Sequence, residues 1–404
     1  MTDANGEVAT SRGSAGQAIS PQTPGELAGL RAQMDAINAD MLALFERRMD
    51  VAAQIADAKR TTGRPVADFT RERQILAEVA DRARPGMDGY ATVLFSLLME
   101  MSRAYQERRL HPQSSLRTRI SDAIARTPAM FPPKAVVACQ GVEGAYSQMA
   151  CDKLFKHPSI IYFSSFEGVF KAVDEGLCAF GMLPIENSTA GTVNRVYDLM
   201  MEHEFHIART VRLKVDHCLL AKPGARLEDI REIHSHEQAI SQSAAFLAGL
   251  PGVRIVPEAN TAAAAQAVAS SNRTDVAVLA SSRCAELYDL AVLARSVQDV
   301  GNNYTRFACI TKDLQIYPGA DRASLMMVLP HRPGSLYKTL ARFYAADVNL
   351  TKLESRPIPG RDFEFMFYFD LELPAVSPQF DELLGELEEF SEEFKYLGSY
   401  SELA

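Results

Sequence analysis

The sequence predicts a multidomain protein in which an all-α segment is followed by an α/β segment and then by a small α+β segment. At roughly 150 residues per domain, 404 residues suggest two or three domains. Apolar residues recur at helical spacing in the first quarter of the chain, whereas strand-like runs alternate with helical patterns from Lys134 onwards. Charge divides in the same way, because residues 26–120 carry a net +2 and residues 321–404 a net −7.

The composition excludes several classes of protein. Apolar residues make up 47% and charged residues 23%, which is ordinary for a globular protein and excludes wholesale disorder. A net charge of −9 argues against a general nucleic-acid binder. No apolar run reaches the roughly 20 residues of a membrane span. The six cysteines have neither CxxC nor metal-ligand spacing, so we expect reduced thiols in a cytoplasmic protein.

Residues 25–110 are predicted to be helical, after a polar, disordered leader at residues 1–24. Neither Pro nor Gly interrupts the chain from Leu30 to Thr62, so one helix of about 30 residues is expected there. A second helix should begin near Asp68, and a third should cover Gly89 to Leu110. The apolar stripe of the first helix is too long for a three-helix chain to bury, which favours an intertwined dimer.

Several polar residues of this segment share helix faces. Asp68 and Glu72 lie four residues apart, as do Ser102 and Gln106. Arg31 and Arg47 are separated by roughly 24 Å of helix, so a small ligand can touch both only if they come from different subunits. Solvated helix faces carry such residues as well, and the pattern alone leaves that alternative open.

The runs LRAQMDAINADMLALFERR, DAKRTTGRPVADFTRERQIL and LLMEMSRAYQ resemble the all-helical chorismate mutase family. The resemblance implies a dimer of three-helix chains that converts chorismate to prephenate. It implies that Arg31 of one subunit and Arg47 of the other hold the carboxylates. Lys59 and Gln106 would donate to the ether oxygen. Asp68 and Glu72 would engage the hydroxyl side of the substrate, and Arg71 and Ser102 would line the pocket. A Claisen rearrangement needs positioning and donors for a developing oxyanion rather than a nucleophile.

Residues 134–315 alternate strands and helices, after a Pro-bearing linker predicted at residues 111–133. Three polar loops flank its strands, with sequences QGVEGAYS, IENSTAGT and NNYTRF. Loops at the carboxyl ends of parallel strands are where ligands bind. Taken singly, the first loop is typical of a turn and the second of a helix cap, and Thr305 in the third would ordinarily be a strand-pairing residue.

Together, GVEGAYSQ, LPIENSTAGTV, IHSHEQAISQ and NYTRF resemble prephenate dehydratase. The resemblance implies two α/β lobes like a periplasmic binding protein, a cleft between them, and conversion of prephenate to phenylpyruvate without metal or organic cofactor. Thr305 would be the acid, Arg306 would hold a carboxylate and Phe307 would pack on the ring. The residues implied to fix the substrate are Asn187, Ser188 and Gln242, with Ser147, Glu186, Thr189 and Thr192 as lesser candidates.

Residues 321–400 read as strand, helix, two strands and an acidic helix from Gln379 to Tyr396. HRPGSLYKTL and LESRPIPGRDFEFMFYFDL resemble the ferredoxin-like ACT regulatory domain. The resemblance implies a dimer-forming domain that binds phenylalanine as feedback effector, and Tyr337 stands where the family usually has a small aliphatic residue. The implied effector residues are Gly334, Ser335, Leu336, Asn349, Leu350, Glu354, Ser355 and Arg356.

The expected function is therefore a bifunctional chorismate mutase and prephenate dehydratase regulated by phenylalanine, in a homodimer or a dimer of dimers. Two alternatives stay open. One is a binding protein that senses a small acid and signals through the ACT segment. The other is an enzyme that retains one of the two activities.

Overall fold

The computed structural model describes residues 24–62, 65–110 and 115–404. The predicted leader, except for its last residue, lies outside the described residues, as does Arg64. The chain divides into two compact units, Met1–Pro112 and Gln113–Ala404. None of the described helices is both long and apolar enough to cross a membrane.

The first unit consists of three helices in its described part. They are α1 (Pro24–Thr62), α2 (Phe69–Arg82) and α3 (Asp88–Leu110). α3 packs on both α1 and α2. Asp68 caps α2 by accepting a hydrogen bond from the Arg71 amide at 3.0 Å. The three predicted helices are confirmed, with α1 beginning six residues before Leu30.

The apolar stripe of α1 stays on the surface of the single chain. Met34 is 57% exposed and Leu44 is 64% exposed, and Leu30, Ile37 and Met41 are exposed with them. A contiguous apolar patch of this kind marks an interaction surface. The described residues of the chain therefore leave this stripe uncovered.

The second unit begins with helix α4 (Ser115–Arg126) and continues into a first lobe. The elements of that lobe are β1 (Val136–Gln140), α5 (Tyr146–Leu154), β2 (Ser159–Phe163), α6 (Phe166–Asp174), β3 (Phe180–Asn187), β4 (Gly191–Thr192), α7 (Asn194–Glu202) and β5 (His206–Lys214).

The chain then builds a second lobe before it returns. The elements there are β6 (Cys218–Ala221), β7 (Glu232–Ser235), α8 (Glu237–Gln242), α9 (Ala244–Ala248), β8 (Arg254–Pro257), α10 (Thr261–Ser270), β9 (Val276–Ala280), α11 (Ser282–Leu287) and β10 (Ala291–Ala294). The sheet of this lobe has the order β10-β6-β9-β7-β8. Strand β11 (Tyr304–Thr311) goes back to the first lobe and inserts between β3 and β5. Two connections therefore join the lobes, and the predicted α/β segment is confirmed.

The rest of the chain forms a four-stranded antiparallel sheet with helices on one face. Its elements are β12 (Arg322–Val328), α12 (Ser335–Ala345), β13 (Asn349–Pro357), β14 (Phe365–Glu372), α13 (Pro378–Phe390) and β15 (Glu393–Tyr400). The strand order is β13-β14-β12-β15. This βαββαβ arrangement is ferredoxin-like. A final short strand, β16 (Glu402–Leu403), pairs with β5, so the order of the first-lobe sheet is β16-β5-β11-β3-β1-β2.

The predicted acidic helix from Gln379 to Tyr396 is wrong in its last part. α13 ends at Phe390, and β15 pairs with β12 from Glu393 to Tyr400. At Gly398 (φ +134°) a Cβ would lie 2.6 Å from the carbonyl oxygen of Ile207 in β5. The strand is therefore selected by contacts distant in sequence, which outweigh the local helical pattern.

The predicted linker at residues 111–133 contains a helix. Leu116, Ile120 and Ala123 of α4 are buried in one cluster with Phe380 and Leu384 of α13. The prolines of this stretch predicted a linker, but the apolar spacing between them builds a packed helix. One face of the C-terminal sheet thus carries α4, α12 and α13, and the other packs on the first lobe.

Candidate active sites

A pocket of about 260 Å³ lies in the helical unit. Five of the predicted residues line it, namely Asp68, Arg71, Glu72, Ser102 and Gln106. Lys59 is adjacent, because its Nζ donates to the carbonyl oxygen of Val66, a lining residue, at 2.5 Å. The structure therefore brings together six of the eight residues predicted for this segment.

Arg48, rather than Arg47, enters this pocket. The Arg48 guanidinium donates to the Leu98 carbonyl oxygen at 2.6 Å and to Ser102 Oγ, whereas Arg47 is exposed on another face of α1. The expectation for Arg47 is corrected by helix geometry. At about 100° per residue, Arg48 lies roughly 20° from Lys59 around the helix axis and Arg47 roughly 120°.

Arg31 does not line the pocket. It lies seventeen residues before Arg48 on α1, which corresponds to roughly 25 Å of helix, and it is exposed. Within one chain the two arginines cannot reach the same small ligand.

The pocket has buried polar groups as well as cations. Gln106 is 7% exposed, and its Oε1 has no hydrogen-bond partner among the described residues. Glu72 faces Arg103, with 3.4 Å between Oε1 and Nε. Burial lowers the pKa of Arg48 from its ordinary value, yet a guanidinium remains charged near neutral pH. The pocket therefore offers cations for carboxylates and a buried amide whose oxygen has no hydrogen-bond partner among the described residues.

A second pocket, of about 360 Å³, lies in the cleft between the two lobes of the other unit. The lining residues that can hydrogen-bond are Gln140, Tyr146, Ser147, Asn187, His217, His236, Gln238, Gln242, Asn260, Thr261 and Thr305. Phe307 and Pro184 supply apolar walls. The cleft thus combines a polar lining with apolar walls, which is typical of a small-molecule site.

Thr305 and Asn187 form the centre of this cleft. They are directly paired across β11 and β3, and Asn187 Nδ2 donates to Thr305 Oγ1 at 2.9 Å. The orientation of the Asn187 amide is set by its oxygen, which accepts from the Thr189 and Ala190 amides at 3.1 and 2.9 Å. Because the threonine oxygen accepts from Asn187, its own O–H is free to donate into the cleft.

Gln242 connects the second lobe to this pair. Its Nε2 donates to Thr189 Oγ1 at 3.0 Å, and its Oε1 accepts from Asn303 Nδ2 at 2.8 Å. Asn303 Oδ1 in turn accepts from Asn187 Nδ2 at 2.8 Å. The amide network therefore spans both lobes and holds Asn187 in one pose.

His217 extends the network on the second-lobe side. Its Nε2 lies 3.2 Å from Gln242 Oε1, and its Nδ1 lies 3.4 Å from the Tyr146 hydroxyl. Burial lowers the pKa of His217, and this outweighs the raising effects of Gln242 and Asp216. A neutral imidazole that donates from Nε2 to the Gln242 oxygen fits these contacts.

Not every predicted dehydratase residue reaches the cleft. Ser147, Asn187, Gln242, Thr305 and Phe307 line it, and Thr189 supports it. Ser188 ties two loops together instead, because its Oγ accepts from the Tyr304 amide and donates to the Asn302 carbonyl.

Arg306, Glu186 and Thr192 lie on the opposite face of the sheet. Arg306 forms ion pairs with Glu186, at 3.1 Å, and with Asp370 of β14. Side chains alternate across a strand, so Arg306 must face away when Thr305 faces the cleft. The expectation that Arg306 holds a substrate carboxylate is thereby corrected.

The cleft also contains residues that sequence reasoning missed. Tyr146, His217, His236 and Asn260 lie on four separate segments, and Asn303 donates to Gln242 beside them. His234 turns away from the cleft and pairs with Glu232 and Glu258, at 2.8 Å each. Position after a strand is the one signal that could have indicated His236.

A third cavity, of about 310 Å³, lies in the C-terminal domain. Gly334, Ser335 and Leu336 line it with Tyr337 and Phe365. The other predicted effector residues do not. Leu350 packs in the core of this domain, Asn349 donates to Glu372, Glu354 accepts from Thr192, Arg356 pairs with Asp198, and Ser355 is exposed.

Family models match both units of the chain. The model described as Prephenate dehydratase matches residues 137–315, and the model described as Chorismate mutase type II matches residues 30–107. The chain is also 36% identical to Arogenate dehydratase/prephenate dehydratase 2, chloroplastic, from Arabidopsis thaliana, over 81% of this chain and 86% of that protein.

Two solved structures resemble the second unit. One is described as prephenate dehydratase in complex with L-Phe from Arthrobacter aurescens, with a TM-score of 0.61, 28% identity, and coverage of 66% of this chain and 89% of that one. The other is described as "GqqA- a novel type of quorum quenching acylases", with a TM-score of 0.60, 35% identity, and coverage of 66% and 97%.

Proposed function

Because the chain belongs to the prephenate dehydratase family and carries a chorismate mutase type II domain ahead of it, we propose that it converts chorismate to phenylpyruvate in two consecutive reactions. The two domains indicate both enzyme activities, an isomerase and a carbon–oxygen lyase. The observation that carries the second reaction is the donor–acceptor pair of Asn187 and Thr305 inside the cleft.

The mutase reaction fits the helical pocket. Arg48 and Arg71 would hold the carboxylates of chorismate. Lys59 Nζ and the amide nitrogen of the buried Gln106, which is the donor end of that side chain, would stabilise the ether oxygen as its bond to carbon breaks. Such donors contribute by fixing the reactive conformer and by meeting negative charge as it develops.

We propose that Arg31 of the partner subunit completes this pocket. The exposed stripe of α1 supports a dimer formed through that helix. Arg31 lies too far from Arg48 in the same chain to serve the same ligand. A dimer in which α1 of each chain crosses the pocket of the other satisfies both observations.

In the dehydratase reaction, Thr305 is the acid. The ring hydroxyl of prephenate leaves as water with the Thr305 proton while its carboxylate departs as carbon dioxide, and the electron pair of the broken C–C bond completes the aromatic ring. Asn187 Nδ2 stabilises the threonine oxygen as it loses the proton, which solvent then replaces. Phe307 packs beside the ring.

The substrate carboxylates would be held without a cationic side chain. None of the described residues that line the cleft is Lys or Arg. Helices α5 and α10 begin at the cleft with Tyr146 and Thr261, and helix N-termini favour anions. These termini and the amide side chains take the role that Arg306 was expected to fill.

Prephenate is favoured over arogenate as the substrate. The Arabidopsis relative is named for both substrates, and arogenate differs in carrying an ammonium group in place of the keto group. Asp and Glu are absent from the described lining of the cleft, so an ammonium group would be desolvated without a counter-charge. We expect kcat/KM for prephenate to exceed that for arogenate by at least roughly tenfold, and the reverse order would refute the assignment.

An acylase activity, as named for one of the similar structures, is less well supported. A threonine nucleophile needs a neighbouring base to take its proton. Thr305 instead accepts a hydrogen bond from an amide that has no basic lone pair to offer. The free O–H of Thr305 also favours an enzyme over a pure binding protein, because a protein that only binds its ligand needs no proton donor at a leaving hydroxyl.

We further propose that the C-terminal domain is an ACT domain that binds phenylalanine as feedback effector. The ferredoxin-like fold and the cavity beside Gly334 support this, and a similar structure is described as a complex with L-Phe. Tyr337 is 60% exposed at that cavity, so its ring occupies space that a smaller residue would leave to the effector. The proposed domain limits are 25–110, 134–315 and 321–400.

The test is incubation of the purified protein with chorismate, followed by phenylpyruvate absorbance in alkali. Phenylpyruvate formed from chorismate supports both activities, and L-phenylalanine should suppress it. Prephenate that accumulates unchanged would contradict the dehydratase, and unreacted chorismate would contradict the mutase. The six cysteines are unpaired and buried, which supports a reducing compartment such as the cytoplasm.

A further inference from the structure

The C-terminal domain contacts strands β3 and β11 on the face opposite to the cleft. Thr305 and Asn187 face the cleft, and their neighbours Arg306 and Glu186, paired in the same register, face the other way. A β-bulge near Ile185 adjoins this pair, so the two strands are irregular at the reacting end. The side chains that contact Arg306 and Glu186 therefore influence the position of Thr305 through the neighbouring residues of the same strands.

Arg306 is anchored in a buried polar cluster. Its side chain and that of Asp370 are each 11% exposed, and Glu186 Oε2 lies 3.1 Å from the guanidinium. Asp370 also accepts a hydrogen bond from Ser324 Oγ at 2.6 Å. Burial alone would lower the pKa of Arg306, but Asp370 and the other neighbours raise it above its ordinary value, so the group stays charged.

Lys352 of β13 completes this cluster. Its Nζ lies 3.0 Å from Glu186 Oε1 and 3.0 Å from Thr192 Oγ1, and 5.1 Å from the centre of the Tyr197 ring. The lysine side chain is 7% exposed. Burying an ammonium group is costly unless it is paired, and removing one partner of such a pair leaves an uncompensated charge.

The backbone of β13 is shaped to aim Lys352 at the first lobe. The register with β14 shifts between Leu350 and Lys352, which leaves Thr351 as the extra residue of a bulge. Leu350 packs into the core of its own domain, and beyond the bulge Lys352, Glu354 and Arg356 contact the lobe. A strand without this bulge would point the lysine elsewhere.

We propose that Lys352 is a positioning residue of the dehydratase reaction, which through Glu186 and Arg306 holds β3 and β11 so that Asn187 stays in hydrogen-bond reach of Thr305. The inference rests on the proposed role of Thr305 as acid. The C-terminal domain could then influence the dehydratase rate, because a displacement of β13 would move Lys352 away from Glu186 and so change the position of Thr305. Misplacement of a reacting group by 1 Å can cost roughly 100-fold in rate.

The test compares Lys352→Met with Lys352→Arg in prephenate turnover. Lys352 does not line the cleft, so we expect Lys352→Met to lower kcat roughly 10- to 100-fold while KM stays within about twofold. Lys352→Arg keeps the positive charge at this position and should therefore retain most of kcat. Lys171→Met is the matched control, since that lysine is 70% exposed and pairs with Glu175 on the surface of α6.

A double-mutant comparison tests whether Lys352 acts through Thr305. If Lys352 acts through the acid, Lys352→Met should add little further loss to Thr305→Ala. A folded Lys352→Met enzyme with the kcat of the unmutated protein, or losses that add fully, would overturn the inference. Should Lys352→Met fail to fold by calorimetry, Glu186→Gln takes its place, with the same expected loss of kcat and the same overturning result.

The two proposals fail separately. Thr305→Ala that keeps its dehydratase activity refutes the acid, whatever Lys352→Met does. Thr305→Ala that is inactive together with Lys352→Met that is fully active refutes only the positioning role.

Discussion

Asn187 Nδ2 donates to Thr305 Oγ1 at 2.9 Å across directly paired positions of β3 and β11. Because the amide donates, the Thr305 O–H is left free to donate to a ligand in the cleft, and the amide would stabilise the threonine oxygen when that proton is transferred. The direction of this one hydrogen bond therefore decides whether Thr305 is an acid.

Asn187→Asp should reverse that direction. A carboxylate cannot donate, so the Thr305 O–H would donate its hydrogen bond to the new carboxylate at position 187 instead of to the substrate. We expect kcat for prephenate to fall roughly 100- to 1,000-fold, the range for loss of one well-placed donor. The control is Asn194→Asp at the exposed start of α7, where a carboxylate is tolerated. Equal kcat in both variants would contradict the donor role of Asn187.

Arg48→Gln should lower mutase activity while dehydratase activity is unchanged. Arg48 lines the helical pocket, whereas the adjacent Arg47 is exposed away from it. We expect a loss of roughly 100-fold or more in kcat/KM for chorismate from Arg48→Gln. Arg47→Gln should stay close to the unmutated enzyme. A larger loss from Arg47→Gln than from Arg48→Gln would overturn the assignment of Arg48.

Mixing two inactive chains tests the shared mutase pocket. An Arg31→Ala chain and an Arg48→Ala chain, refolded together, form heterodimers with one intact pocket if Arg31 crosses to the partner. Mutase activity should recover to about a quarter of the unmutated level for random pairing. No recovery, with dimers present by sedimentation, would contradict the contribution of Arg31 to the partner's pocket.

Stability of the two-lobe unit should fall as the pH drops below about 6.5. Burial lowers the pKa of His217 and of His206. The unfolded chain then binds more protons than the folded chain in this window, so stability present above about pH 6.5 is lost as pH falls through the folded pKa values. Calorimetry at several pH values measures the slope of Tm against pH.

His217→Asn should flatten that slope, and the exposed His157→Asn should leave it unchanged. A slope that is identical in all three proteins would contradict the neutral, buried state of His217.

Local signals were sufficient for most of the fold. The positions of Pro and Gly and the spacing of apolar residues located the starts of α2 and α3 to within one residue, whereas α1 begins six residues before Leu30. β15 could not be recognised in the same way, because its strand conformation depends on β12 and on the close approach of Gly398 to Ile207. α4 was obscured by prolines on both sides.

For the candidate sites, too, local sequence signals identified some residues and missed those whose position depends on the fold. The residues within each motif were found. Because Thr305-Arg306-Phe307 and Glu186-Asn187-Ser188 are consecutive, all of them were expected to face the cleft. Strand alternation sends Arg306 and Glu186 to the other side. Helix geometry likewise separates Arg48 from Arg47. Tyr146 and Asn303 lie inside the quoted runs GVEGAYSQ and NYTRF but were not singled out, and His217 lies on a separate segment that no quoted motif covers.

Chorismate turnover by the Thr305→Ala protein tests the assignment of the acid most directly. The unmutated enzyme should yield phenylpyruvate, and Thr305→Ser, which keeps the hydroxyl, should yield it more slowly. Thr305→Ala should consume chorismate at the same rate and stop at prephenate. Phenylpyruvate formed by Thr305→Ala at the rate of the unmutated enzyme would contradict the assignment of Thr305 as the acid.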